Sequence, residues 1–141
     1  MLKLTMYLAG WSKYFDYRKY TIDKYGNKLN LINPMNITHT EVISDVGTNE
    51  YDTCIVRRDK KLILSSDILI AYVGDQGSTW GTTMEICFAY EHGIPVYVID
   101  VTPGMKNYND AWLKFHTKKE FGNIDDCFNY ILSEKTNSNV N

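Results

Sequence analysis

A single doubly wound α/β domain with four or five mostly parallel strands is what the sequence predicts, on three observations. Two short, continuous apolar runs rich in β-branched residues, Ile68 to Val73 and Ile94 to Ile99, suit strands buried on both faces of a parallel sheet. Between them, Thr82 to Tyr90 places Met84, Cys87 and Phe88 at helical spacing and stops at His92-Gly93. Strands and helices alternate in the same way along the whole chain, the pattern of a Rossmann-like or flavodoxin-like sheet covered on both faces. Strand, loop, helix and strand from Ser66 to Asp100 make one βαβ unit, whose crossover is expected to be right-handed. Its loop, Gly74 to Gly81, falls at the carboxyl end of the first strand, where open α/β sheets bind ligands.

The other elements follow in order. Leu2 to Ala9 alternates loosely and ends in Tyr7-Leu8-Ala9-Gly10-Trp11, a strand running into a glycine turn where a ligand can approach the backbone. Ser12 to Tyr25 is a short polar helix, and Leu29 to Ile32 is a brief strand stopped by Asn33-Pro34. Met35 to Asn49 shows no period and reads as a long loop, a candidate lid or specificity loop in which His39 either meets a ligand or is merely solvated. Glu50 to Ser66 is helical. After the turn at Thr102-Pro103-Gly104 come a short segment, Ala111 to His116, and an amphipathic helix capped by Asn123 with Asp125 and Asp126 in its first turn. The predicted domain is 1–133, and the polar tail 134–141 is expected to fray.

Composition excludes several classes. The 141 residues suffice for one domain with a sizeable core and are too few for two ordinary ones. A net charge of −2 without a basic stripe gives a nucleic acid nothing to bind. Cys54, Cys87 and Cys127 are odd in number and lie within apolar helical patterns, so they read as reduced thiols of a cytoplasmic protein. Lys3 and Thr5 interrupt the N-terminal apolar stretch and no cleavage site follows, so no signal peptide is expected. No run reaches membrane-spanning length. His39, His92 and His116 lack metal-site spacing, and neither a metal nor an organic cofactor is expected.

Three side chains stand out chemically. Glu85 lies three residues after Thr82, which fits a capping box but also places a carboxylate at the ligand-binding edge. Asp59 falls on the apolar face of its helix, four residues after Ile55, where a carboxylate is costly unless paired or used. The alternative is a solvated helix edge beside Arg58 and Lys60. Tyr7 is either a sheet-packing aromatic or a phenol serving an active-site carboxylate.

Together, Tyr7-Leu8-Ala9-Gly10, the Asp59…Ser66-Asp67 spacing, and Gly81-Thr82-x-x-Glu85 followed by Ala89 and Gly93-Ile94-Pro95-Val96 resemble the nucleoside 2-deoxyribosyltransferases and the related N-glycosidases of nucleoside 5′-monophosphates. Trp112-Leu113-x-x-His116 and the closing helix extend the resemblance over nearly the whole chain. The resemblance implies Glu85 as nucleophile on the sugar's anomeric carbon, Tyr7 as the group orienting it, and Asp59 as proton donor to the departing base. A helix N-terminus and a phenol would both favour an ionised Glu85. Substrate contacts are implied at Gly10, Trp11, Asp75, Ser78, Thr79, Trp80 and Gly81, and at Asn109, which would be supplied to a neighbouring subunit in a homodimer or larger homo-oligomer. Many transferases of the family have an aspartate six residues before the nucleophile, where this chain has Thr79. A hydroxyl there, with free helix N–H groups, suits a 5′-phosphate, although Asp75 could restore the missing acid. The expected partner is a small nucleoside or nucleotide, processed by transfer or hydrolysis. A non-catalytic nucleotide-binding module is the alternative of another class.

Overall fold

The computed structural model describes residues 3–10, 15–36, 51–74 and 80–140, the side chains of 51, 52 and 136–140 excepted. Five strands, β1 (Thr5–Gly10), β2 (Asn30–Ile32), β3 (Ile68–Val73), β4 (Val96–Asp100) and β5 (Lys119–Phe121), form one sheet in the order β2-β1-β3-β4-β5. Every neighbouring pair is parallel, so the sheet is more uniform than the mostly parallel one the sequence predicts. The three central strands read as unbroken apolar runs because both of their faces are covered. The edge strands β2 and β5 have three residues each, which leaves little backbone open to pairing with another chain.

Among the described residues, five helices cover the sheet: α1 (Tyr17–Tyr25), α2 (Tyr51–Leu64), α3 (Trp80–Glu91), α4 (Ala111–His116) and α5 (Ile124–Val140). Strand alternation sorts the core into two layers. Met6, Leu8, Ile68, Ile70 and Ile99 meet Tyr17 and Tyr25 of α1 and Cys127, Phe128 and Ile131 of α5 on one face. Tyr7, Ala9, Leu69, Ala71 and Val98 meet Ile63 of α2 and Ile86 and Ala89 of α3 on the other. Asp125, in the first turn of α5, accepts hydrogen bonds from Tyr25 at 2.5 Å, Lys24 at 2.9 Å and Tyr20 at 3.0 Å, which ties the two helices of the first layer together.

Two boundaries differ from expectation. Helix α3 already includes Trp80 and Gly81, so Thr82 is not its cap: Thr82 is buried inside the helix and Glu85 stands in the second turn. The capping box therefore does not form, because Thr82 packs toward the sheet. The end of α3 is as expected: Gly93 takes φ +75°, Ile94 N–H donates to Ala89 at 2.9 Å and Gly93 N–H to Tyr90 at 3.1 Å, a Schellman closure. Helix α5 continues through the polar residues after Leu132 as far as Val140.

Chain order reverses between β1 and β3: from β1 the chain goes out to β2 on one side, then returns to build β3, β4 and β5 on the other. The carboxyl ends of β1 and β3 frame the crevice that this reversal opens. Gly10 closes β1 there with φ +132°, and a Cβ at this position would stand 2.5 Å from the Tyr72 carbonyl oxygen. Only glycine lets β1 and β3 stay paired to their ends.

Candidate active site

Tyr7, Glu85 and Asp59 meet at the carboxyl end of β1, beside that reversal. Tyr7 is fully buried, and its hydroxyl donates to Glu85 Oε2 across 78 residues of sequence. Glu85 projects toward β1 because Thr82, Ile86 and Ala89 occupy the sheet-facing stripe of α3 and Glu85 lies on the flank toward α2. Asp59 comes from α2 and also lies against the Tyr7 hydroxyl, which favours its charged form. Its carboxylate is held by its neighbour in sequence: Arg58 Nε is 2.9 Å and a terminal guanidinium nitrogen 2.8 Å from Asp59 Oδ1. The side chains of this pair are 12% and 19% exposed, so Asp59 is neither out in bulk water nor unpaired.

Burial dominates the electrostatics. It pushes the Glu85 carboxyl up to about 7; the Tyr7 bond, Arg18 and Arg58 pull the other way, and the Asp59 charge adds to the rise. Burial thereby opposes the ionisation of Glu85 that the phenol favours. Its second-turn position leaves it little of the helix dipole, which acts within the first turn. Asp59 is also raised, by burial first, against the opposing pull of Arg58. Tyr7 is held far above the usual phenol range by burial and then by the Glu85 charge, so it remains a protonated donor.

Arg18 is the residue the sequence did not single out. From α1 it reaches back over β1, donating from Nε to the Leu8 carbonyl at 2.9 Å and from a terminal nitrogen to the Gly10 carbonyl. Its charge favours the anions of both Glu85 and Asp59. Asp100, passed over as the last residue of an apolar strand, organises the same edge. Fully buried, it accepts from the Thr102 N–H at 3.0 Å, the Thr102 hydroxyl at 2.6 Å and the Tyr108 N–H at 2.9 Å. These bonds hold the 3₁₀ segment Pro103–Asn109 over the end of β4.

Of the other predicted contacts, Gly10 lies at the end of β1 as described. Trp80 and Gly81 are exposed at the start of α3, Trp80 to 74%, and Asn109 is exposed at the end of the 3₁₀ segment. Trp11, Asp75, Ser78 and Thr79, together with His39, lie outside the described residues. A cleft of about 530 Å³ opens on the flank of α3 away from Glu85, lined by Gly74, Thr83, Cys87, Asn107, Trp112 and His116 among others. None of Tyr7, Asp59 and Glu85 lines it, and Asn107, not Asn109, faces it, with its amide 3.2 Å from the Gly74 carbonyl.

Fold and cluster define a doubly wound α/β protein with two carboxylates and a buried phenol at its switch point. Neither a protein-family model nor a curated protein sequence matches the chain. Solved structures do. A 2-deoxyribosyltransferase from Bacillus psychrosaccharolyticus is similar over 87% of this chain and 89% of its own, with 20% identity and a TM-score of 0.59. A conserved protein from Enterococcus faecalis V583 is similar over 94% and 99%, with 17% identity and a TM-score of 0.63. At these identities the likeness is one of fold, and it agrees with the resemblance read from the motifs.

Proposed function

We propose that the chain cleaves or exchanges the N-glycosidic bond of (deoxy)nucleosides or their 5′-monophosphates through a covalent glycosyl-Glu85 intermediate. The observation that carries this reading is the Tyr7–Glu85 hydrogen bond beside Asp59, which unites three residues distant in sequence. An oxygen of Glu85 attacks C1′ as the C1′–N bond breaks, and the bonding pair leaves with the base. Asp59, its acid form favoured by burial, supplies the proton that the base takes up. Arg58 opposes that role by favouring the anion, and a base nitrogen drawing close to Asp59 would displace part of the pairing. Water or the nitrogen of a second base then attacks C1′, returns its proton to Asp59 and frees Glu85. Tyr7 fixes the attacking carboxylate and yields none of its own proton. The fold shared with a 2-deoxyribosyltransferase supports the same chemistry.

The hydrolysis of 5′-monophosphates is the finer alternative. It rests on Thr79 standing where a sugar-binding aspartate is otherwise expected. Subunit-completed pockets in a homodimer or larger assembly fit the exposed Trp80 and Trp112, and a cytoplasmic setting fits three free cysteines. Chromatography of products from a mixed panel of nucleosides and 5′-monophosphates, with and without free base, tests the reading. Base exchange without net sugar release indicates transfer, and faster turnover of unphosphorylated substrates counts against the Thr79 inference. Glu85→Ala should abolish turnover while leaving ligand affinity within about tenfold. Tight nucleotide binding by the wild type with no base released would establish the non-catalytic module instead.

A further inference from the structure

The flank of α3 opposite Glu85 carries a second group of chemistry-bearing side chains. Cys87 and Glu91 are one helical turn apart on α3, and His116, the last residue of α4, packs against them. One ligand atom from each of the three lies within 4.8 Å of the others. His116 is 8% exposed, and its Nδ1 is 2.7 Å from the Trp112 carbonyl oxygen. A carbonyl can only accept, so Nδ1 carries the proton and the ring's lone pair falls on Nε2. Orientation by a backbone carbonyl is how metal-ligating histidines are set. Tyr90 and Phe115 meet the ring edge-on at 4.8 and 5.1 Å and Trp112 stacks on it at 6.2 Å, which fixes the ring before any ligand arrives.

We propose that Cys87, Glu91 and His116 bind a zinc-class divalent cation that joins α3 to α4. A thiolate, an imidazole nitrogen and a carboxylate make a mixed, borderline-soft donor set, which suits zinc better than magnesium or calcium. Tetrahedral zinc sets its ligand atoms ~3.5 Å apart. Cys87 and Glu91 are exposed and can close the remaining distance by changing rotamer, while His116 stays where its ring contacts hold it. Cys87 and His116 also line the 530 Å³ cleft, so a water in the fourth position would face it. The spacing of the histidines in sequence does not show the site, because its ligands come from two helices 25 residues apart at their nearest, Glu91 and His116.

The test needs no nucleoside and is therefore separate from the glycosidic reading. The full chain is titrated with Zn²⁺ by calorimetry, and with Co²⁺ while near-UV absorbance is followed for a thiolate-to-cobalt band. The expected result is one saturable site of micromolar or tighter affinity and a cobalt band that vanishes in Cys87→Ala. Zn²⁺ affinity should fall more than tenfold in both Cys87→Ala and Glu91→Gln, and His92→Gln should leave it unchanged. Both ligand substitutions are at exposed positions, and the cobalt band of the wild type reports thiolate ligation without any variant. Absence of saturable binding by the wild type, or binding that survives Cys87→Ala, overturns the proposal.

Discussion

Glu85 is the residue at which folding and the proposed chemistry conflict. With a folded pKa of about 7 against an ordinary 4.5, it binds its proton more tightly in the native state than in the unfolded one. Between those two values the folded state keeps a proton that the unfolded state has lost, so stability falls as pH rises through the window. Above it, the buried anion costs the fold on the order of 3 kcal/mol. Glu85→Gln should match the wild type in urea midpoint at pH 4 and exceed it at pH 8; equal midpoints at both would mean the carboxylate is not desolvated. In the proposed reaction the same titration governs activity. Because Glu85 must be ionised while Asp59 holds its proton, kcat/KM is expected to pass through a maximum in pH, with the midpoint of its Glu85 limb near 7. Tyr7→Phe removes the bond that favours the anion, so this midpoint should move upward as the rate falls. A rate loss with an unmoved midpoint would make Tyr7 a packing residue.

At the scale of elements, two glycines with positive φ separate close approach from turn geometry. At Gly10 an added Cβ meets the Tyr72 carbonyl at 2.5 Å, whereas at Gly93 it meets nothing within 4 Å. Gly10→Ala should cost on the order of 3 kcal/mol and distort the end of β1, and Gly93→Ala about 1 kcal/mol. Denaturant unfolding of the two variants measures the difference, and equal costs would contradict the role given to Gly10. β3, β4 and the end of α3 were legible in the sequence because a doubly covered strand and a glycine-capped helix have strong local signatures. β5 was not, because its only buried side chain is Phe121 and its pairing to β4 is long-range. The start of α3 was misplaced because Thr82 and Glu85 satisfy a capping pattern that packing overrides. In the candidate site, Tyr7, Asp59 and Glu85 were legible as carboxylates and a phenol at a strand end or on an apolar face. Arg18 was not: its value lies in reaching the Leu8 and Gly10 carbonyls, and helical periodicity does not encode that reach.

At the scale of the whole molecule, the all-parallel order β2-β1-β3-β4-β5 brings the ends of β1, α2 and α3 to one edge. That placement puts Tyr7, Asp59 and Glu85 together, and it is the fold shared with a 2-deoxyribosyltransferase at 20% identity. The intermediate we propose is a covalent bond between Glu85 and a sugar carbon. Acid quenching during turnover of a 2′-deoxynucleoside, followed by intact-mass analysis and peptide mapping, tests it most directly. The predicted result is one added glycosyl group, mapped to Glu85 and missing from Glu85→Gln. Base release by the wild type with no adduct at any quench time, or an adduct mapped to another residue, would contradict it.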